Sequence, residues 1–201
     1  STGDPVTYHD WLTDPAIDSA QAHDVNVHLC ATIFSGHTAF FTNPAARQNL
    51  VANLVDLVKQ RNAHGINVDI ELLPSSMSDS VTVFMRDLSA QFKTAIPGAL
   101  VSICLPAVDW DQDFQIEAMS DFVDFFFVMG YDYYWNGSDQ AGPVSPLYSL
   151  TPGYNYSLAR TISAYETAGM QREKFILGIP YYGRKWKTQS DNIPSPILAN
   201  G

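Results

Sequence analysis

Hydrophobic and polar positions divide the chain into alternating segments typical of strands and helices. The predicted strands cover residues 25–33, 66–71, 99–104, 124–130 and 174–179. The predicted helices cover residues 14–23, 43–62, 79–95, 115–121 and 157–168. Asn43 is expected to cap the second of them, with Pro44 at its first position, and Ser78 is expected to cap the third. Strands that alternate with helices predict an α/β fold with a parallel sheet and right-handed crossovers.

Two α/β architectures fit this alternation, a doubly wound sheet and a (β/α)8 barrel. Both place functional residues at the carboxyl ends of their strands. No glycine-rich fingerprint follows any predicted strand, which weakens the nucleotide-binding form of the doubly wound sheet. The pattern by itself leaves both architectures open.

The strand at 66–71 carries polar residues in every second position. Because a strand has a side-chain period of two, Asn67, Asp69 and Glu71 share one face. A half-solvated antiparallel strand explains such a pattern in many proteins. Here helices are predicted on both sides in the chain, so the strand should be parallel and apolar throughout. Inward polar groups are then costly, and two carboxyl groups near the end of a strand suit proton transfer.

The segment from His64 to Glu71 resembles the active-site strand of glycoside hydrolase family 18, the chitinases and related N-acetylglucosaminidases. The pattern of that family is D-x-x-D-x-D-x-E. Asp69 and Glu71 match its last two acidic positions, whereas His64 and Asn67 replace the first two. The substitution at His64 is interpreted as structural, because it lies at the start of the strand.

Two later segments match further motifs of the family in the expected order. Residues 128–132, Val-Met-Gly-Tyr-Asp, resemble its M-x-Y-D strand. Residues 178–184, Gly-Ile-Pro-Tyr-Tyr-Gly-Arg, resemble its G-x-P-x-Y-G-R strand. The resemblance spans roughly residues 15–186 and implies a (β/α)8 TIM-barrel fold, of which this chain covers about strands 3 to 7.

The predicted domain organisation follows from that coverage. Residues 1–186 are expected to form a partial (β/α)8 catalytic domain. Residues 187–201 are expected to be a loop or the start of an insertion or truncated remainder. A complete barrel typically needs about 250 residues, so we expect this chain to be part of a larger protein.

The resemblance implies a substrate-assisted, retaining hydrolysis of β-1,4-linked N-acetylglucosamine polymers, chitin or chitooligosaccharides. Glu71 is then the general acid and base. Asp69 orients the 2-acetamido group of the sugar, and Tyr131 donates its hydroxyl to that group. The residues implied in substrate binding are Asn67, Met129, Asp132, Tyr133, Trp135, Tyr181 and Arg184. The aromatic rings of residues 133–135 cannot all point inward, so some of them are expected to be exposed.

Asn67 is the departure from the family with the clearest chemical consequence. An amide cannot titrate, so Asp69 loses a like-charged neighbour and is expected to ionise more readily. Altered pH dependence is expected rather than loss of activity. Arg184 has two equal interpretations, contact with a substrate oxygen or an ion pair with an acidic neighbour.

Charge and composition narrow the class of partners. The net charge is −10 with 11 basic residues, which argues against nucleic acid. No apolar run has the length of a membrane span, and the five histidines show no metal-ligand spacing. Cys30 and Cys104 are expected to be small buried thiols rather than a disulfide. We therefore expect a monomer with a carbohydrate substrate and no cofactor, metal or membrane partner.

Three other functions are compatible with the sequence. The same mechanism would serve an endo-β-N-acetylglucosaminidase that acts on N-glycans or peptidoglycan. A non-catalytic chitin-binding relative would keep the cleft and lose the acid, which the presence of Glu71 disfavours. An unrelated α/β enzyme with Asp69 and Glu71 as metal ligands lacks a further ligand cluster. If chitin is the substrate, the protein is expected to be secreted.

Overall fold

The computed structural model describes residues 2–150 and 154–199. The helices are α1 (Pro15–Ala22), α2 (His37–Phe41), α3 (Pro44–Gln60), α4 (Ser78–Ala95), α5 (Ile116–Met119) and α6 (Leu158–Thr167). The strands are β1 (His28–Ile33), β2 (Gly65–Ile70), β3 (Leu100–Leu105), β4 (Phe125–Met129), β5 (Gln140–Ala141), β6 (Phe175–Gly178), β7 (Lys187–Thr188) and β8 (Ser195–Ala199). The chain forms two compact units: the first comprises residues 1–104 and 110–126, and the second comprises residues 105–109 and 127–201.

A side-chain cap explains where α3 begins, whereas α4 begins without one. Asn43 accepts a hydrogen bond from the Ala46 amide at 3.3 Å, and Pro44 occupies the first turn of α3. This confirms the predicted start of α3. Ser78, however, was predicted to be a cap and is instead the first residue of α4, after a 3₁₀ turn at Ser75–Met77. That turn aligns the backbone for α4, which has no side-chain cap.

Helix α2 is absent from the predicted elements, because five residues are too few to show a helical period. Its aromatic residues explain why it forms. The ring of Phe40 lies 5.5 Å from that of Phe84 on α4, and the ring of Phe41 lies 5.7 Å from it, both edge to face. The burial of these rings therefore holds α2 against α4.

Three parallel strands form the sheet of the first unit, in the order β1, β2, β3. Strand β2 lies in the middle, with Thr32 of β1 opposite Asp69. Ile66, Val68 and Ile70 of β2 are buried. The predicted parallel strand is therefore confirmed, and its polar residues have a neighbouring strand on each side.

The second unit contains β6, α6 and most of β4. Gly130 follows β4, and its amide donates to the Gly178 carbonyl of β6 at 3.0 Å. Its core contains Tyr133, Tyr134 and Leu158, with Trp186 and Leu177 packed against them. These contacts attach α6 and the loop after β4 to one hydrophobic cluster.

A small antiparallel sheet in the order β5, β8, β7 also belongs to the second unit. Ser195 of β8 pairs with Ala141 of β5, and Ile197 pairs with Thr188 of β7. Residues 187–199 thus hold two short strands, where the sequence pattern indicated a loop or the start of an insertion. The predicted domain boundary at residue 186 stays a prediction. None of the described helices is both long and apolar enough to cross a membrane.

Substitution of Gly65 by alanine is expected to destabilise the first unit. An added Cβ would lie 2.1 Å from the Leu100 carbonyl oxygen, so β2 and β3 would have to separate. We expect the free energy of unfolding in urea to fall by about 2 kcal/mol or more. Gly183→Ala is the control, because its Cβ would meet nothing within 4 Å. Equal unfolding free energies for the two variants would contradict this account.

Candidate active site

The end of β2 places Glu71 beside the last residues of β1. Strand β2 itself ends at Ile70, but the Glu71 amide still donates to the Ile33 carbonyl at 3.3 Å. The chain then turns at Leu72, which has a φ of 56°. Glu71 therefore stands at the carboxyl end of a central parallel strand, as the alternating pattern predicted.

Asn67 is held by side chains from both neighbouring strands. The Ser102 hydroxyl of β3 donates to Asn67 Oδ1 at 2.9 Å. Asn67 Nδ2 donates to Cys104 Sγ at 3.1 Å and lies 3.8 Å from Cys30 Sγ. The alternating pattern relates Asn67 only to Asp69, so these three partners from β1 and β3 were not predicted.

Register explains why the three partners meet Asn67. Cys30 of β1 and Ser102 of β3 are both paired with Asn67. Val68 is paired with Ile103, so the next residue on each strand, Asp69 and Cys104, share a level. A parallel register with period-two side chains thus brings these groups to one face.

Asp69 is half-buried and shares a level of the sheet with the Cys104 thiol. Its Oδ1 is buried without a hydrogen-bond partner among the described residues. Burial raises the pKa of Asp69, and the nearby Cys104 thiol lowers it in part. Asp69 was expected to ionise more readily beside the neutral Asn67, but burial, which sequence does not show, raises its pKa above the ordinary aspartate value.

Glu71 is partly exposed, and its pKa is raised above the ordinary glutamate value. Burial is the larger cause, and the negative charge of Asp69 adds to it. A carboxyl group that keeps its proton to higher pH is suited to general acid catalysis near neutral pH. The charge of Asp69 therefore helps Glu71 to keep its proton.

The two cysteines are free thiols, which agrees with the sequence analysis. The expectation that both are buried is wrong for Cys30, which is exposed. Burial raises the pKa of Cys104 to about 12. Although Cys30 is exposed, loss of hydration around its sulfur, which lies 3.8 Å from Asn67 Nδ2, also raises its pKa. Both thiols therefore remain protonated at neutral pH.

His64 lies at the start of β2, and its Nδ1 accepts the Val27 amide proton at 3.0 Å. This backbone contact agrees with the structural interpretation of His64. Within residues 2–150 and 154–199, no three His, Cys, Asp or Glu side chains are grouped as metal ligands.

The second unit contains the other motif residues, around Asp132. Met129 ends β4, and Asp132 has a φ of 57° in the loop that follows. Arg184 Nη2 lies 2.9 Å from Asp132 Oδ1, so Arg184 forms the ion pair with an acidic neighbour. Burial, followed by the nearby Asp132 carboxyl group, raises the pKa of Tyr182 to about 12.

Aromatic rings surround the same ion pair. The rings of Tyr131 and Tyr182 meet edge to face with centroids 6.2 Å apart. The Arg184 guanidinium lies 5.9 Å from the Tyr182 ring centroid. Tyr182 thus lies between Tyr131 and Arg184, although it was absent from the predicted site residues.

The aromatic run 133–135 divides between interior and surface, as predicted. Tyr133 is 5% exposed and Trp135 is 52% exposed. The Tyr133 hydroxyl lies 2.5 Å from Thr161 Oγ1, which favours a packing role over substrate contact. Tyr181, by contrast, is fully exposed.

Comparison with known proteins identifies relatives of this chain. The sequence model described as "Glycosyl hydrolases family 18" matches residues 13–199. A Bacillus subtilis (strain 168) protein named as a sporulation-specific glycosylase, YdhD, is 30% identical over 149 residues, 72% of this chain and 33% of that protein. Di-N-acetylchitobiase of Mus musculus is 28% identical over 151 residues, 70% of this chain and 38% of that protein.

A solved structure supports the same relation at the level of fold. The group II chitinase catalytic domain 2 of Ostrinia furnacalis, solved as a variant in complex with (NAG)5, is 22% identical with a TM-score of 0.80. The match covers 91% of this chain and 53% of that one. The fold is therefore α/β of the TIM-barrel type, as the motifs implied. The chain spans about a third to a half of the proteins it matches.

The two thiols are expected to differ in reactivity with an aromatic disulfide reagent at pH 8. The thiolate is the reactive form, and Cys104 is buried with its pKa raised to about 12. We expect slow labelling of Cys30 and no labelling of Cys104 until the protein unfolds, measured by mass spectrometry. Cys30→Ala should remove the reaction of the folded protein. Labelling of Cys104 at the rate seen in urea would contradict the buried site.

Proposed function

This chain belongs to family 18 of the glycosyl hydrolases, and we propose that it serves as a retaining glycosidase of β-1,4-linked N-acetylglucosamine polymers. The observation that carries the proposal is the pair of carboxyl groups at the end of β2. Glu71 has a raised pKa, and the adjacent Asp69 has a buried oxygen without a partner among the described residues. One group is suited to give a proton, and the other to accept a hydrogen bond.

Glu71 acts as the general acid and then as the general base. In its protonated form it donates to the glycosidic oxygen as the bond to the leaving sugar breaks. In its ionised form it then takes a proton from the water that attacks the anomeric carbon. The negative charge of Asp69 supports the first step, because it holds the proton on Glu71 to higher pH.

Asp69 orients the nucleophile, which in this mechanism is the 2-acetamido oxygen of the substrate. Its Oδ1 accepts the acetamide N–H, which turns the carbonyl oxygen toward the anomeric carbon. The carboxylate also balances the positive charge that develops on the oxazolinium ring. A buried carboxylate is effective here because its charge is little screened by water.

The motif residues of the second unit are proposed to bind the substrate, on the strength of the family resemblance. Tyr131 donates its hydroxyl to the acetamide group, and Asp132 contacts the same sugar. Arg184 positions Asp132 through their ion pair. The exposed faces of Trp135 and Tyr181 suit the apolar faces of sugar rings.

Met129 and Asn67 complete the proposed set in a supporting role. Met129 ends β4 two residues before Tyr131. Asn67 lies two residues before Asp69 on the same face of β2, where it donates a hydrogen bond to Cys104 Sγ. The partner is a carbohydrate, and a monomer meets the needs of this mechanism. Because polymeric chitin lies outside cells, the proposed function carries an extracellular location with it.

Di-N-acetylchitobiase, by its name, acts on a chitin disaccharide, which supports a substrate with N-acetylglucosamine linkages. Activity on N-glycans or peptidoglycan would use the same carboxyl groups and differ in the sugars bound outside them. A panel of chitooligosaccharides, N-glycans and peptidoglycan fragments distinguishes these substrates directly.

Glu71→Gln is expected to lower kcat for hydrolysis of a fluorogenic N-acetylchitobioside by about a thousandfold. The amide keeps the shape of the side chain but cannot donate or accept the required proton. Glu117→Gln, an exposed change on α5 of the same unit, is the matched control and should keep full activity. A folded parent protein that binds chitooligosaccharides without turnover would instead show a binding protein.

The pH dependence of Glu71 should change when the neighbouring charge is removed. Its pKa is raised, so the acid form persists above the ordinary glutamate range and is lost as pH rises through the folded pKa. Asp69→Asn should lower the pKa of Glu71 part of the way to its ordinary value, because burial remains. Carboxyl ¹³C NMR titration measures this shift. Asp87→Asn, an exposed change on α4, should leave it unchanged.

A further inference from the structure

We propose that His37 is a positioning residue for Glu71, and that it acts through the backbone carbonyl of Ile33. The inference rests on the proposed function, since that function assigns Glu71 the transfer of the proton. It adds a residue outside the three motifs of the family resemblance and outside the predicted site residues. His37 begins α2, and its side chain is buried, with 7% of the residue exposed.

Two hydrogen-bond donors meet at the carbonyl oxygen of Ile33, the last residue of β1. The Glu71 amide donates to this oxygen at 3.3 Å, and His37 Nε2 lies 3.3 Å from the same oxygen. Because a carbonyl oxygen can only accept, Nε2 is the ring nitrogen of His37 that carries the hydrogen. A backbone carbonyl has two lone pairs, so it can hold both donors at once. One oxygen atom therefore links the imidazole ring to the backbone of Glu71.

The backbone of Glu71 needs support because it lies where the strand pairing ends. Strand β2 ends at Ile70, and Leu72 has a φ of 56°, so the chain turns directly after Glu71. Proton transfer requires the carboxyl group to stand within hydrogen-bond reach of the glycosidic oxygen. A small displacement of a catalytic group lowers the rate strongly. The second donor on the Ile33 carbonyl thus holds in place the backbone from which the Glu71 side chain extends.

The His37 ring is itself fixed by packing inside the first unit. It stacks on the ring of Phe41, with centroids 6.3 Å apart and planes inclined by 12°. Phe41 is buried and meets the ring of Phe84 on α4 edge to face. Gly36, with a φ of 71°, turns the chain from β1 into α2. The position of Nε2 is therefore set by the hydrophobic core beside β1.

The test separates the hydrogen bond of His37 from its packing. His37→Phe keeps a ring against Phe41 and loses the donor, whereas His37→Gln loses the ring and keeps an amide N–H donor at a similar reach. We expect His37→Phe to lower kcat for a fluorogenic N-acetylchitobioside about 10-fold, with KM changed less than about twofold. His37→Gln should recover most of kcat. A lower kcat in His37→Gln than in His37→Phe would show a packing role and would overturn the inference.

His23 provides a matched control for these variants. Its Nδ1 lies 2.8 Å from the Ser19 carbonyl oxygen, and this carbonyl is four residues earlier in the chain, as in the His37 contact. His23 is exposed at the end of α1, so His23→Phe removes a contact of the same kind away from Glu71. It should leave kcat and KM unchanged. An equal fall of kcat in both phenylalanine variants would contradict a specific role of His37.

Hydrogen exchange of the Glu71 amide tests the contact whether or not the protein cleaves sugars. Measured by NMR on ¹⁵N-labelled protein, this exchange should be about 2- to 10-fold faster in His37→Phe and should return toward the parent rate in His37→Gln. The Val68 amide, in the middle of β2, should keep its rate in both variants. A parent protein with this pattern but without turnover would lose the proposed function and keep the His37 contact.

The same measurement gives the result that would overturn the inference. It is an unchanged exchange rate of the Glu71 amide in folded His37→Phe, with the fold checked by circular dichroism. If His37→Phe does not fold, His37→Leu takes its place, because leucine also lacks a donor and is smaller than the imidazole ring.

Discussion

The site depends on one constraint, a polar stripe on a central strand of a parallel sheet. Strand β2 has a neighbour on each side, and its alternate residues Ile66, Val68 and Ile70 are buried. Polar groups on the other face are partly withdrawn from water, so each needs a partner or a shifted pKa. Asn67 meets this requirement through partners on β1 and β3, whereas Asp69 meets it only in part.

The same withdrawal from water connects the fold to the chemistry. Burial is the largest cause of the raised pKa at both Asp69 and Glu71. The charge of Asp69 affects Glu71 because little water screens the interaction between them. If β2 were more exposed, burial of its carboxyl groups would cost less folding free energy, and both groups would have pKa values closer to the ordinary ones. The burial that raises the pKa of Glu71 therefore also lowers the stability of the fold.

Features set by residues close together in the sequence could be predicted from it. The period of two placed Asp69 and Glu71 on one face, and the Asn43-Pro44 pair predicted the start of α3. Partners that are distant in the chain were missed. Ser102 and Cys104 lie 35 and 37 residues from Asn67, and only the strand register brings them together. In the second unit, the aromatic run 133–135 predicted that some rings are exposed, but packing selects Trp135.

The substitution of the family aspartate by Asn67 makes chemical sense together with the thiols. An aspartate at position 67 would add a second charge close to Asp69 and would compete with it for a proton. Asn67 is neutral and is held by Ser102 and Cys104 of β3, so it adds no second charge beside Asp69 on this face of the sheet. The pKa of both thiols is raised, so they stay neutral while the carboxyl groups titrate. Asp69 and Glu71 are therefore the groups of β2 that exchange protons in the proposed mechanism.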